Sequence, residues 1–343
     1  MEAAVYDSAI ISPIPISDVE ESTPTFVAWP PTETVDHTSK DSSGKGNEKN
    51  VVELLRHLQV QEAKYGYHLS ASDCANVSQA WRTKMCGWCF DVVDHLEYER
   101  EIVSIAFNYF DRTVANLVAN ANATNTTKPC TNFPTSKQNL QLLALTCFYV
   151  SIKLHGKISG KREMLSVAEI IEISQAPVSA GAFAAMELRV LDGLKWRTNP
   201  PTCKHFIECL LRLCPKWETG NSSTRMTVLG EIYNVSLYFS EHSVMMTPTF
   251  SFSHKVSVIG YVSILCAMEV LQTSFPLPRD VCDELLDKIA EATGLRPQME
   301  EILQAYQAVK DLCPSIFEGR NFLQNDDTNY ARPRGFSYRP ISH

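Results

Sequence analysis

The sequence predicts an all-α protein: a short helical arm followed by two tandem five-helix domains, with acidic and polar tails at the two ends. Three observations predict it. Apolar residues from Val51 onward recur at spacings of three and four, the signature of one buried helical face. Glycine and proline fall between these runs, and no alternating strand pattern is sustained. The breaker Asn199-Pro200-Pro201 then divides the helices into two sets of five.

The elements follow in order. Residues 1–48 mix Ser, Thr, Pro and acidic residues with too little apolar surface to offset ordering, and are expected to be a disordered acidic tail. Ser12-Pro13 and Thr23-Pro24 in it fit a proline-directed kinase. The arm is predicted over Val51–Tyr65. The first domain, residues 49–198, has predicted helices over Val77–Leu96, Glu97–Val118, Gln138–His155, Ser166–Ser174 and Ser179–Leu194. An Asn- and Thr-rich insertion, residues 119–137, is longer than most connections and interrupts it. The second domain, residues 199–316, has predicted helices over Thr202–Leu213, Thr224–His242, Thr249–Leu271, Arg279–Ala292 and Pro297–Leu312, and residues 317–343 form a second disordered tail.

Composition narrows the function. Of the formal net charge of −8, residues 1–50 hold −6, from nine acidic and three basic side chains. A near-neutral body lacks the basic footprint that phosphate backbones attract, and the largest basic cluster is Arg332, Arg334 and Arg339 near the C-terminal end. Nucleic-acid binding is therefore not expected. The first sixteen residues lack a basic segment followed by an apolar run, so they do not read as a signal peptide, and the protein is expected inside the cell. The apolar stretches around Leu140–Val150 and Val256–Leu271 are interrupted by polar residues and read as buried helices, so no membrane contact is expected. In a reducing compartment the eleven cysteines behave as small buried hydrophobes.

Four charges sit on the wrong face. Plotted at ~100° per residue, the Val77–Leu96 helix places Trp81, Met85, Trp88, Cys89, Val92 and Leu96 on one stripe, with Arg82 inside its arc. A guanidinium packed against apolar groups needs a carboxylate, and Asp111, at the edge of the next helix's stripe, is the best candidate. Glu187 falls inside the arc of Phe183, Met186, Val190 and Leu194. Lys153 falls beside Leu142 and Tyr149 on a second apolar face of its helix, bordered by Gln141. Taken singly, Lys153 also reads as a charge complementing a helix C-terminus, and Glu187 as an exposed residue at a stripe's edge.

Spacing changes that reading. Trp81-Arg82-x-x-Met85-x-x-Trp88, Asn108-Tyr109-Phe110-Asp111-Arg112, Leu140-Gln141-Leu142-Leu143 with Ser151-Ile152-Lys153, and Met186-Glu187-x-x-Val190-Leu191-x-x-Leu194-x-Trp196 resemble, in order, the motifs of the cyclin box. Pro200-Pro201-Thr202 and the arm, with Leu54-Leu55, Glu62 and Tyr65, are similar to the family's domain junction and pre-box helix. The resemblance covers Val51–Leu213 by motif and the remainder to Leu312 by helix pattern. It implies two stacked five-helix cyclin domains, no catalytic residue, no cofactor and no metal. It implies a heterodimer with a cyclin-dependent kinase, found in nucleus and cytoplasm and controlling cell-cycle progression. Arg82 and Asp111 would form a structural ion pair, while Lys153 and Glu187 would bind the kinase around its mobile C-helix. Trp81, Met85, Trp88 and Gln141 match the groove that docks Arg-x-Leu substrates or inhibitors.

The departures are specific. Leu154-His155-Gly156 follows Lys153 where the family often has two acidic residues, and Lys84 stands in the docking groove where an apolar residue is usual, which predicts weak or altered docking. No convincing Arg-x-x-Leu, Lys-Glu-Asn or Leu-x-Cys-x-Glu motif is present, so neither the mitotic nor the D-type class is supported. Two rival readings exist. Cys86-Gly87-Trp88-Cys89 resembles a thiol-oxidoreductase motif, but it lies mid-helix with Trp88 and Cys89 on the core stripe, away from the helix N-terminus such chemistry needs. The other rival is a cyclin-fold transcription-associated factor or helical scaffold that never meets a kinase, which would have no need of both Lys153 and Glu187.

Overall fold

The computed structural model describes residues 44–67, 77–123, 137–156, 165–217, 222–246 and 255–317. Among them there are twelve helical segments and no strand. They are α1 Gly44–Tyr65, α2 Gln79–His95, α3 Glu101–Ala123, α4 Lys137–His155, α5 Val167–Ser174, α6 Ala180–Gly193, α7 Cys203–Leu211, α8 Ser222–Met245, α9 Val256–Leu271, α10 Arg279–Thr293, α11 Glu300–Leu312 and α12 Pro314–Phe317. The all-α class is as the sequence predicts.

Local chemistry starts and stops these helices. Ser78 accepts a hydrogen bond from the Trp81 amide at 3.2 Å and caps α2. Ser166 and Glu169 form a reciprocal capping box at α5, and Ser179 accepts from the Ala182 amide at α6. Gly294 takes the left-handed conformation that ends α10, with φ +79°.

The chain divides into two units. The first is built around Val60–Thr202, with residues 44–50, 244–246 and 255 grouped with it. Its centre is α4, whose residues from Leu140 to Ile152 are all buried because both of its faces are apolar. Thr146 and Ser151 fold their hydroxyls back onto the Leu142 and Phe148 carbonyls, which satisfies them without a partner element. Edge-on pairs Trp88–Phe148 and Tyr149–Phe183 join α2 and α6 to this axis. Phe183 is fully buried, a burial worth roughly 1.5–3 kcal/mol.

The second unit contains Val51–Gln59, Cys203–Ser243 and residues 256–317. Its axis is α9, buried from Ser257 to Glu269. A Cβ on Gly260 would lie 3.1 Å from the Phe206 Cβ and 3.3 Å from the Cys203 carbonyl, so glycine is what lets α9 and α7 approach this closely. Glu269 is the one carboxylate on this apolar helix. Lys310 reaches it at 2.9 Å and the Tyr306 hydroxyl also donates to it, while the Lys310 ammonium lies over the Phe317 ring.

Several boundaries differ from expectation. Helix α1 begins at Gly44, inside the stretch assigned to the acidic tail, because the Glu and Lys preceding the buried Val51 are good helix formers. Residues 51–59 of that arm group with the second unit, where Gln59 donates to the Thr293 carbonyl at 3.0 Å, whereas the sequence placed the whole arm with the first domain. Helix α3 runs to Ala123 and α4 starts at Lys137, so only residues 124–136 of the insertion lie outside the described residues. Helix α8 extends to Met245, and α9 begins at Val256 where Thr249 was expected. The short α12 was not foreseen, and its Phe317, assigned to the tail, is buried 5.3 Å from the Phe239 ring. The division between the units falls after Thr202, four residues beyond the predicted end of the first domain. The tail phosphoacceptors and the C-terminal arginines lie outside the described residues.

Candidate functional site

Helix α2 carries Arg82 into the first unit's core, and α3 carries Asp111 to meet it. Nη1 and Nη2 donate to the two carboxylate oxygens at 2.6 and 2.9 Å, and both side chains are buried. Nε donates to the Val244 carbonyl at 3.1 Å, the guanidinium lies 4.9 Å over the Phe107 ring, and the Tyr67 hydroxyl donates to Asp111 at 3.4 Å. Burial by itself would lower the Arg82 pKa, but the facing carboxylate more than reverses this and holds the guanidinium firmly protonated. The pair performs no chemistry open to solvent; it fixes α2 against α3.

The next residues of α3 make a second connection that the sequence did not reveal. Tyr109, Arg112 and Asn116 stand at spacings of three and four on one line of the helix. Asn116 donates to the Gly193 carbonyl at 2.5 Å, Arg112 to the Leu194 and Arg197 carbonyls at 3.2 and 2.9 Å, and the Tyr109 hydroxyl to the Thr198 carbonyl. His155 Nε2 lies 2.8 Å from the same Thr198 oxygen. The Arg112 guanidinium also stacks 4.8 Å over Tyr65, and Arg197 donates to the Lys64 carbonyl at 3.1 Å. The clamped turn is strained: Lys195 and Trp196 have φ of +50° and +56°, a conformation costing of order 1–3 kcal/mol for each non-glycine residue. The signal that would have found this clamp is the line of three polar residues beside an apolar stripe.

Lys153, near the C-terminus of α4, and Glu187, midway along α6, meet at 2.9 Å. The Lys153 side chain is 43% exposed and Glu187 19%. The hydrogen bond that Lys153 donates to Glu187 raises the Lys153 pKa despite the opposing effect of partial burial. The sequence placed Lys153 beside Leu142 and Tyr149; its ammonium lies over the Tyr149 ring at 5.8 Å and also reaches the Glu187 carboxylate. Around the pair α4 and α6 leave large apolar side chains in solvent, Leu154 and Leu188, the latter 67% exposed. Such a solvated pair adds only about 0.2–1 kcal/mol to stability, so folding does not require it.

The candidate docking patch lies mostly below the surface. Trp81 and Lys84 are half-buried, while Met85, Trp88 and Gln141 are buried. Trp88 Nε1 and Gln141 Nε2 have no hydrogen-bond partner among the described residues, an uncommon state for buried donors. Cys86 and Cys89 are free and buried, and burial pushes both thiols well above the ordinary range, which disfavours the thiolate that redox exchange needs. Among the described residues no group of three or more His, Cys, Asp or Glu is placed to hold a metal ion, and no helix is long and apolar enough to cross a membrane.

An all-helical chain whose buried Arg–Asp pair locks the first two helices of its first unit, with helix α4 as that unit's axis, has the architecture of the cyclin-box class. A solved structure supports this: a viral cyclin from herpesvirus saimiri superposes with a TM-score of 0.54 over 77% of this chain and 98% of that one, at 14% identity. Residues 50–199 match the family model "Cyclin, N-terminal domain". The G1/S-specific cyclin-D2 of Mus musculus is 26% identical over 250 residues, 72% of this chain and 76% of the relative. The G1/S-specific cyclin-D2 of Rattus norvegicus is 27% identical over 173 residues, 49% of this chain and 53% of the relative. The G1/S-specific cyclin-D1 of Homo sapiens is 26% identical over 149 residues, 43% of each chain. Residues 50–199 thus match the cyclin N-terminal domain, and the chain is similar to cyclins in sequence and in fold. These relatives are D-type cyclins, a class that the missing Leu-x-Cys-x-Glu motif had left without support.

Proposed function

We propose that the protein is the non-catalytic, activating subunit of a cyclin-dependent protein kinase. The observation that carries this reading is the solvent-facing Lys153–Glu187 pair, set among exposed Leu154 and Leu188. Two charged groups that fold stability does not need, each followed in the chain by a leucine left in water, suit a partner surface that buries the leucines and uses the charges for register.

On this reading the α4 and α6 surface packs against the kinase's mobile C-helix and holds it inward, so that the kinase's own Glu–Lys ion pair forms for phosphoryl transfer. Activation is population shift: the cyclin binds the active kinase conformation better than the inactive one. The contact is expected to bury on the order of 2,000 Å², with Lys153 and Glu187 as polar anchors. The complex controls cell-cycle progression and resides in nucleus and cytoplasm. The test is co-purification with purified cyclin-dependent kinase catalytic subunits and assay of histone phosphorylation. Wild type should bind and activate at least one of them, and the Lys153→Ala, Glu187→Ala double variant should activate far less. Equal activation by the double variant, or no kinase bound, favours a transcription-associated factor or scaffold instead.

A second reading, that Arg-x-Leu substrates or inhibitors dock at Trp81, Met85, Trp88 and Gln141, is favoured by the two unpartnered donors, Trp88 Nε1 and Gln141 Nε2. Both donors are buried, so a peptide's carbonyls would satisfy them only where the side chains around them move aside. Half-buried Lys84 beside them opposes the peptide's arginine, so docking should be weak and should strengthen in Lys84→Leu. Fluorescence anisotropy with a labelled Arg-x-Leu peptide reads this directly; no binding by either protein sinks it.

A further inference from the structure

We propose that Ser337 is the phosphoacceptor of an arginine-directed Ser/Thr kinase, a modification site carried by the basic run Arg332-Pro333-Arg334-Gly335-Phe336-Ser337-Tyr338-Arg339. This does not rest on the reading of Lys153 and Glu187: the kinase here acts on the chain and is not its partner.

Three of the chain's fifteen arginines fall within these eight residues. Only two of the fifteen, Arg334 and Arg339, stand three positions before a serine or threonine, and Ser337 alone has arginine five positions before it as well. That spacing has a physical use. In a segment bound extended, alternate side chains point the same way, so positions −5 and −3 present both guanidiniums to one wall of a cleft. Carboxylates there take each as a bidentate, charge-assisted pair, which a lysine ammonium does not match. Pro333 and Pro340 disfavour helix at Arg332 and Arg339, the residues before them, in keeping with the extended form such a cleft needs. Tyr338 follows Ser337, so an enzyme that requires proline after its acceptor passes over it, whereas Ser12 and Thr23 meet that requirement.

The structure decides against the basic-flanked acceptor within the fold. Thr198 has Lys195 three positions before it and Arg197 beside it. Lys195 and Trp196 hold φ of +50° and +56°, the Arg197 carbonyl accepts from Arg112 at 2.9 Å, and the Thr198 carbonyl accepts from the Tyr109 hydroxyl and lies 2.8 Å from His155 Nε2. Drawing Thr198 into a cleft as extended chain would break that turn. Ser337 stands beyond the last described helix. That helix ends at Phe317, which is buried 5.3 Å from the Phe239 ring with the Lys310 ammonium 4.9 Å over it, and Ser337 follows twenty residues later. Twenty residues reach at most about 70 Å, enough for the acceptor to enter a kinase while the second unit stays folded.

In the transfer the Ser337 Oγ attacks the γ-phosphorus of ATP. The new O–P bond forms as the bond to the β,γ-bridging oxygen breaks, ADP leaves, and the hydroxyl proton passes to the kinase's catalytic aspartate. The phosphate brings about −1.5 to −2 charges at pH 7 and so cancels half or more of the +3 on residues 332–339.

The experiment incubates the full chain with ATP and either a purified kinase that requires arginine at −5 and −3 or a proline-directed kinase, and maps the phosphate by mass spectrometry. Wild type, Ser337→Ala, Ser342→Ala, Thr198→Val, Arg332→Ala and Arg334→Ala are compared, with melting temperatures to show that each is folded. The arginine-directed kinase is expected to modify Ser337 stoichiometrically. Ser337→Ala should lose nearly all of the phosphate, and Ser342→Ala and Thr198→Val should lose none. Arg332→Ala and Arg334→Ala should each slow the initial rate by about tenfold or more with an unchanged melting temperature. The proposal is overturned if the phosphate goes to Ser342, Thr198 or another residue, if losing the arginines leaves the rate unchanged, or if the proline-directed kinase modifies Ser337 as fast. A synthetic peptide of residues 328–343 that is phosphorylated while the full chain is not overturns it too, because the acceptor is then hidden in the protein.

Discussion

Removing one member of the Arg82–Asp111 pair tests how the first unit is held together. In Asp111→Asn the side chain keeps its shape and one acceptor for Nη1, but a repelling amide group faces Nη2, which now lies 2.9 Å from an oxygen. The guanidinium keeps its bond to the Val244 carbonyl and its place over Phe107, neither of which supplies negative charge. A buried charge left without its partner costs about 3–5 kcal/mol, a large part of the 5–15 kcal/mol of a typical domain. For a unit of this size each kcal/mol shifts the melting temperature by about 2–4 °C, so a fall of roughly 6–20 °C is expected. Circular dichroism melts and urea titrations of Asp111→Asn, Arg82→Met and the Arg82→Met, Asp111→Leu double variant read it. The double variant should recover much of the loss, because an apolar pair of similar volume is often neutral or better. Single variants losing less than about 1 kcal/mol, or a double variant losing the sum of the two, would refute the assignment of the cost to an uncompensated buried charge.

Three further outcomes are expected. Burial raises the Cys86, Cys89, Cys147 and Cys266 thiols, so the folded chain holds protons that the unfolded chain releases. Stability should therefore be flat below the unfolded thiol pKa near ~8.5 and fall above it by about 1.4 kcal/mol per pH unit per thiol until the folded groups ionise, which urea titrations at pH 7.5 and 9.5 with and without Cys86→Ala will measure. In the second unit, Lys310→Met leaves the buried Glu269 carboxylate with the Tyr306 hydroxyl but no counter-charge, and should cost about 3–5 kcal/mol in a urea titration followed by circular dichroism. Gly260→Ala drives a methyl against Phe206 and the Cys203 carbonyl and should cost about 1–3 kcal/mol by the same assay; a stabilised variant would show that α9 and α7 are less tightly packed than described.

Helix type and order were legible in the sequence because period, caps and breakers are local: eleven helices stand close to where the three-and-four spacing and the Gly and Pro punctuation place them. The pull of Arg82 and Glu187 toward opposite charges was legible too, since a charge inside an apolar arc demands one. What local pattern could not fix was where helices meet at their ends. Lys153 lies over Tyr149 of its own helix, as the spacing places it, but whether it also reaches Glu187 depends on the distance between α4 and α6, and no periodicity contains that distance. The α3 clamp on residues 193–198 joins segments some eighty residues apart, and the burial of Phe317 depends on Phe239 and Lys310. The sequence by itself determined the elements and the charges that need partners, because both are set within a few turns of helix. Only the tertiary structure decided which partner each charge takes and which aromatic ring is left in water, because those are settled by packing between residues far apart in the chain.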